Sequence, residues 1–347
     1  MERMIERYSL TPGYEISRVI KGGWQLSDGH SQEVSSDPVA DMFAFVERGI
    51  DTFDCADIYT GVEAMIGEFV SANAKRAEPL AIKVHTKYVP DYDQLGHLKK
   101  SDVEEIIDRS LMRLKLEKLD MVQFHWWNYA APGAVEAAGW LKELQQAGKI
   151  ELLSTTNFNT TGTREILDAG VELATTQVQY SLLDPRPEKA LLGLCAEHNM
   201  HLLCYGTLAG GFLSERWLGE AEPQSFSNRS LIKYKLMIDE IGGWDLFQSL
   251  LQTLDRIAKK HGVTIASVAS NWVLAQAQVA AVIIGSRNAA HLDRYKEVFA
   301  LQMDAGDRAA IATIKMQMSI PPDDVFDLER DKSGPHGSIM KYNLNAE

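Results

Sequence analysis

The sequence predicts an α/β fold of the (β/α)8 type, the TIM barrel, and three observations carry that expectation. Short apolar runs alternate with amphipathic stretches along most of the 347 residues, the pattern of a parallel sheet whose strands are buried on both faces. Eight such runs fall out, and no Pro/Ser-rich linker divides them, so one barrel domain over 1–347 is expected. The first run ends in G-G-W and not in G-x-G-x-x-G, so the dinucleotide fingerprint of the doubly wound sheet is missing.

In chain order, T-P-G at 11–13 supplies the turn of an N-terminal hairpin over 7–18. Strands are expected at 19–23, 51–56, 80–86, 119–126, 150–155, 175–179, 201–206 and 281–285. Helix starts are marked between them. Asp37 before Pro38 reads as an N-cap with proline at the first helical position, and S-D-V-E-E at 101–105 reads as a Ser101 cap in a capping box. Two stretches break the rhythm. Residues 207–247 separate the seventh strand from its helix, and a loop of that length is expected to serve as a lid or binding element. Residues 320–347 carry P-P-D-D and K-S-G-P-H-G and read as a mostly irregular C-terminal extension, either folded over the barrel mouth or lying on the surface.

With 45% hydrophobic and 24% charged residues the chain has the composition of a soluble globular protein. A formal charge of −13 repels phosphate backbones and anionic lipid, which sets aside nucleic acid and membrane as partners and leaves small molecules. Cys55, Cys195 and Cys204 are odd in number and widely spaced, as buried thiols in a reducing compartment are. The opening M-E-R-M-I-E-R-Y has no apolar h-region, and no apolar run approaches about 18 residues, so neither signal peptide nor membrane span is expected and the location reads as cytoplasmic.

Three apolar runs end on titratable groups. D-T-F-D-C-A-D-I-Y delivers Asp54 and, five residues on, Tyr59; A-I-K-V-H-T-K-Y ends on Lys87; L-D-M-V-Q-F-H-W ends on His125. Residues at the C-terminal ends of barrel strands converge on one mouth. A phenol of pKa about 10 exchanges protons poorly near neutrality unless an ammonium stabilises its phenolate. Lys87 is the candidate ammonium, Asp54 would hold it, and His125 would orient a substrate carbonyl and share the proton traffic. Lys83 lies on the same strand face but four residues before Lys87, too early along the strand. Alone, each residue also reads as a helix cap or a satisfied core group.

In this order and with these flanks, F-D-C-A-D-I-Y-T, T-K and Q-F-H-W, the quartet resembles the tetrad of the aldo-keto reductases. The resemblance implies NADPH, with NADH less favoured, bound in extended form across the mouth, and hydride transfer to an aldehyde or ketone, or the reverse reaction on an alcohol or sugar. It implies that Gly23 and Trp24 border the cofactor, that Thr156, Asn157 and Gln177 bond the carboxamide, and that Tyr205 stacks on the nicotinamide. Leu208, Gly210 and Gly211 would approach the pyrophosphate, although glycines in a turn also explain themselves. Ser286 and Arg287, at the start of a short helix after strand eight, would grip a ribose 2′-phosphate, with His291 nearby; Arg287 also reads as a solvated helix-start arginine. Trp24, Trp126 and Trp127, with Phe212 or Trp217, would wall an aromatic substrate pocket. Cys55 replaces the family's usual Thr and Thr60 the Gly that follows the Tyr. Two other readings stand beside this one: a nicotinamide-binding regulatory subunit, like the potassium-channel beta subunits of the same fold, and a barrel enzyme using Lys87 as a Schiff base.

Overall fold

The computed structural model describes residues 5–27, 36–226, 229–286, 289, 292–321 and 323–345. Strands β1 (Arg7–Thr11) and β2 (Tyr14–Ser17) form the expected antiparallel hairpin, turned at Gly13, whose φ of 84° favours glycine. Eight parallel strands follow: β3 (Val19–Gly22), β4 (Thr52–Asp54), β5 (Lys83–Tyr88), β6 (Leu119–Phe124), β7 (Ile150–Thr156), β8 (Thr175–Gln179), β9 (His201–Tyr205) and β10 (Val279–Ile284). They close into a barrel in which β10 pairs with both β9 and β3. Each expected strand is present, with ends displaced by up to three residues. His125 lies one residue beyond β6, yet its N–H still donates to the Tyr88 carbonyl (3.0 Å), so the chain stays extended to that position.

The outer layer contains α1 (Pro38–Glu47), α2 (Val62–Ala74), α3 (Lys100–Leu114), α4 (Ala134–Gln146), α5 (Thr160–Asp168), α6 (Leu191–Glu197), α7 (Arg229–Ile241), α8 (Trp244–His261), α9 (Ile265–Leu274), α10 (Tyr295–Ala300) and α11 (Ala305–Lys315), with α12 (Asp327–Arg330) in the extension. Asp37 caps α1 as expected, its carboxylate accepting from Ala40 N–H at 2.9 Å. Ser101 does not cap α3. The helix begins two residues earlier, and the Asp102 carboxylate accepts from Lys99 N–H (2.9 Å), the longer reach of a carboxylate at the third helical position winning over the serine hydroxyl. The segment 207–247 is also more ordered than a loop: it holds two 3-10 turns and all of α7, because L-I-K-Y-K-L-M-I-D-E-I carries an apolar stripe that buries Met237, Ile238 and Ile241.

Alternation along the strands sends Thr52 and Asp54, His85 and Lys87, and Met121 and Gln123 to one face. The hairpin seals the N-terminal end of the barrel. Tyr14 and Ile16 pack with Ile20, Met121, Leu203 and Ala281 in a core separate from the larger one between sheet and helices. There Lys83 bonds Asp120 (2.9 Å) and lies 4.2 Å from the Tyr14 ring centroid, which removes it from the mouth.

Candidate active site

At the opposite end, Asp54 closes β4 and is the hub of a buried polar floor. Its Oδ2 accepts from Lys87 Nζ (2.7 Å), and its Oδ1 accepts from Nε2 of Gln123 (2.7 Å) and of Gln177 (2.6 Å). Lys87 also donates to the Cys55 carbonyl (2.7 Å), and its Nζ lies 5.0 Å from the centroid of the Tyr59 ring. Burial alone would lower the Lys87 pKa, but the charges of Asp54 and Tyr59 outweigh it and the pKa rises. An ammonium held this way stays protonated, which disfavours the Schiff-base reading.

Tyr59 stands in the turn that leads into α2, where its carbonyl accepts from Val62 N–H (3.0 Å). Gly61, after Thr60, takes the left-handed conformation, φ 80°, at the start of α2. Burial raises the phenol's pKa and the Lys87 charge pulls it back only in part, so at neutral pH Tyr59 carries its proton. Trp24 covers it, 37% exposed, with ring centroids 5.0 Å apart.

His125 is 2% exposed, and its Nδ1 lies 2.9 Å from the Thr156 carbonyl oxygen. A carbonyl oxygen only accepts, so Nδ1 carries the proton. The ring is held edge-on by Trp127, 4.3 Å between centroids, and by Phe326, 5.6 Å. Burial, then the nearby Arg330 charge, lower its pKa to about 3 against the opposing pull of the Thr156 bond, so the imidazole is neutral.

The cofactor candidates line the next strand ends. Asn157 has φ 58°, and its Oδ1 accepts from the Tyr205 hydroxyl (2.8 Å). Gln177 binds Asp54 and Gln123 through Nε2, a role the sequence did not suggest. The Asn157 amide nitrogen and the Gln177 amide oxygen thus keep no protein partner among the described residues, one donor and one acceptor, which matches the two halves of a carboxamide. Gly23 lets the chain pass the floor closely: its N–H donates to the Asp54 carbonyl (2.7 Å), and a Cβ there would lie 2.8 Å from that oxygen. Leu208 precedes the 3-10 turn at Ala209–Gly211. A Cβ on Gly210 would lie 2.8 Å from the Tyr234 ring, so α7 uses that glycine, whereas Gly211, φ 101°, faces open space. Ser286 shares a hydrogen bond with Tyr295, but the described helix there begins only at Tyr295, after a 3-10 turn at Leu292–Arg294. Arg287 and His291 lie outside the described residues.

The aromatic wall is smaller than expected. Trp126 is fully buried, its indole N–H donating to the Asn128 carbonyl (2.9 Å), and its ring packs on Phe124. Phe212 and Trp217 cluster with Phe226, Trp244 and Phe247, because the 3-10 turns direct them under α7 and α8. Trp24 and Trp127 remain, and the C-terminal extension, folded over the mouth, adds Phe326 and Arg330. Arg330 Nη2 donates to the carbonyls of Trp126 (3.1 Å) and Asn157 (2.5 Å). Its neighbour Glu329 is buried against Arg186 (3.0 Å), which Asp184 also holds (2.8 Å). Lys233 of α7 lies 5.2 Å from the Tyr205 ring centroid and 5.6 Å from that of Phe326. These residues lack spacing motifs; only the isolated cations and the F-D-L-E-R helix marked them.

Among the described residues no His/Cys/Asp/Glu group is arranged to hold a metal ion, and no helix is long and apolar enough to cross a membrane. A family model described as the aldo/keto reductase family matches residues 18–315, and the chain belongs to that family of oxidoreductases, which act on carbonyls and alcohols with a nicotinamide cofactor. It is similar to the aldo-keto reductase YhdN of Bacillus subtilis, 26% identical over 311 residues, covering 87% of this chain and 91% of the relative. A second relative is the NADH-specific methylglyoxal reductase of Escherichia coli, 24% identical over 331 residues and covering 89% and 96%. The structure of the glycerol dehydrogenase AKR11B4 from Gluconobacter oxydans superposes with a TM-score of 0.74 at 24% identity, over 93% of this chain and 98% of that one.

Proposed function

We propose that the protein reduces an aldehyde or ketone with NADPH, or oxidises the corresponding alcohol or sugar, with Tyr59 as the proton donor and acceptor. The observation that carries this is the Lys87 ammonium fixed between Asp54 Oδ2 and the Cys55 carbonyl beneath the Tyr59 ring. Asn157 and Gln177 offer one donor and one acceptor to a carboxamide, Tyr205 offers a ring face, and Gly211 offers open backbone near a pyrophosphate. When bound, a reduced nicotinamide supplies a hydride. Tyr59 gives its proton to the carbonyl oxygen, and Lys87 stabilises the phenolate left behind until solvent restores the proton. Trp24, Trp127 and Phe326 hold the substrate and exclude water.

The test is Tyr59→Phe, which keeps the ring and removes the proton donor: carbonyl reduction should be lost while NADPH binding is retained. Turnover above about a tenth of the parent's removes Tyr59 from this role. A regulatory, cofactor-binding subunit would show no turnover to lose. The preference for NADPH rests on Arg287 alone. Arg287→Ala should weaken NADPH binding by about ten- to a hundredfold and leave NADH unchanged, read as paired dissociation constants from tryptophan quenching. Equal weakening of both cofactors would make Arg287 structural, and the name of the Escherichia coli relative, which pairs NADH with methylglyoxal, makes the comparison worth running.

A further inference from the structure

Asn157 sits in the left-handed region, φ 58°, a conformation that a residue with a Cβ keeps only where its surroundings impose it. The barrel imposes it from one side. The Asn157 N–H donates to the Gln177 carbonyl (2.8 Å), and its Oδ1 accepts from the Tyr205 hydroxyl (2.8 Å). The other side belongs to the C-terminal extension. Arg330 Nη2 donates to the Asn157 carbonyl (2.5 Å), Asp327 Oδ1 accepts from Asn159 Nδ2 (3.0 Å), and Asp324 Oδ2 accepts from the Thr160 N–H at the start of α5 (2.7 Å). These charged side chains follow the turn in reverse order along the chain, each bonding a successive part of it. The Arg330 guanidinium also lies 4.2 Å from the Tyr129 ring centroid, and the Tyr129 hydroxyl accepts from the Asn159 N–H (2.9 Å). Its side chain is 9% exposed, and Nη2 reaches the Trp126 carbonyl as well (3.1 Å), so the ends of β6 and β7 are clamped together.

Without these contacts the turn keeps its two barrel-side bonds, but its carbonyl and the first amide of α5 lose their partners and the left-handed asparagine loses half of what holds it. We infer that the extension positions Asn157, with Arg330 as the positioning residue, so that docking of the extension and occupancy of the carboxamide site are thermodynamically linked. This rests on the reading above, in which the Asn157 amide meets the nicotinamide carboxamide. It adds a dependence on a part of the chain that the family match, residues 18–315, does not reach. The link is reciprocal: whatever affinity the docked extension lends the cofactor, the bound cofactor returns as stability of the docked extension.

The experiment measures dissociation constants for NADPH and NADH, and for 2′-phospho-ADP-ribose and ADP-ribose, the same nucleotides without the nicotinamide, in the parent and in Arg330→Met. For the pair the parent binds, we expect the dinucleotide to bind the variant about tenfold more weakly and the truncated nucleotide to bind both proteins alike, because only the nicotinamide reaches Asn157. Equal affinity of the dinucleotide for the two proteins, or equal weakening of both ligands, overturns the inference. Hydrogen exchange of the parent gives a readout independent of how the variant folds. The saturating dinucleotide should slow amide exchange over 324–330 by about tenfold, and the truncated nucleotide should leave it unchanged. No slowing, or the same slowing with both ligands, overturns the linkage. The underlying reading fails differently: the parent would bind the dinucleotide no more tightly than its truncated form, which removes the nicotinamide contact and the inference with it.

Discussion

Strand β5 carries a lysine at each end, and both are set among an aspartate, a tyrosine and a histidine. At the N-terminal end Lys83 bonds Asp120 and sits over the Tyr14 ring, whose hydroxyl meets His85 Nε2 at 3.2 Å. At the C-terminal end Lys87 bonds Asp54 and sits beneath Tyr59, with His125 just past the end of the next strand. Both histidines are neutral, burial lowering the pKa of His85 to about 4 and of His125 to about 3. The difference lies in what covers them. The hairpin fills the first constellation with protein, so Tyr14 spends its hydroxyl on His85. The second opens on the mouth, where Trp24 lies over Tyr59 and His125 Nε2 has no hydrogen-bond partner among the described residues. Residue chemistry alone does not make a site; the end of the barrel decides which copy works.

Removing the two phenols should separate the ends most sharply. Tyr59→Phe should lower kcat for carbonyl reduction by at least about a hundredfold, while Tyr14→Phe should leave kcat within about twofold of the parent; steady-state kinetics on both variants decides it. A large loss in Tyr14→Phe would mean the hairpin end is coupled to the chemistry. The two lysines should differ in stability as well. Lys87→Met strands the buried Asp54 carboxylate and should cost about 3–5 kcal/mol as well as slowing the chemical step. Lys83→Met breaks a pair that is 25% and 18% exposed and should cost less than about 1 kcal/mol, both read from urea unfolding.

The same comparison was partly legible in the sequence. Asp54, Lys87 and His125 each end an apolar run, so the periodicity that marks the strands also marks these residues, and Lys83 drops out by position alone. Cross-barrel partners left no such trace: Gln177 reaches Asp54 across 123 residues, and Arg330 reaches Trp126 across 204. Trp126 and Trp127 show the limit from the other side. Adjacent and identical, they alternate about the end of β6, so one enters the core and the other walls the mouth.

Titration offers a subtler separation. Because burial raises the Tyr59 pKa, reduction should hold level through neutral pH and fall only above the ordinary phenol range, and oxidation should rise with pH toward the same point. Lys87→Met removes the charge that pulls this pKa down, so the fall should move to higher pH. A pH–rate profile of each protein checks the sign, and a shift downward would contradict the Lys87–Tyr59 pairing. At the plugged end, Tyr14→Phe deletes a neutral buried hydrogen bond and should cost about 1 kcal/mol in urea unfolding.

The fold-back of the extension also sets the order in which the mouth comes into being. Asn345 donates to the Val89 carbonyl at 2.6 Å and the Leu344 N–H to Asp91 at 2.9 Å, closing the chain over 256 and 253 residues. At about 5–20 residues per second, synthesis separates those partners by roughly ten to fifty seconds. During that interval the floor around Asp54 and Lys87 is already on the nascent chain, while Phe326, Arg330 and the strand-end clamp are still to come. A nascent barrel therefore has the residues of its polar floor before those of its roof.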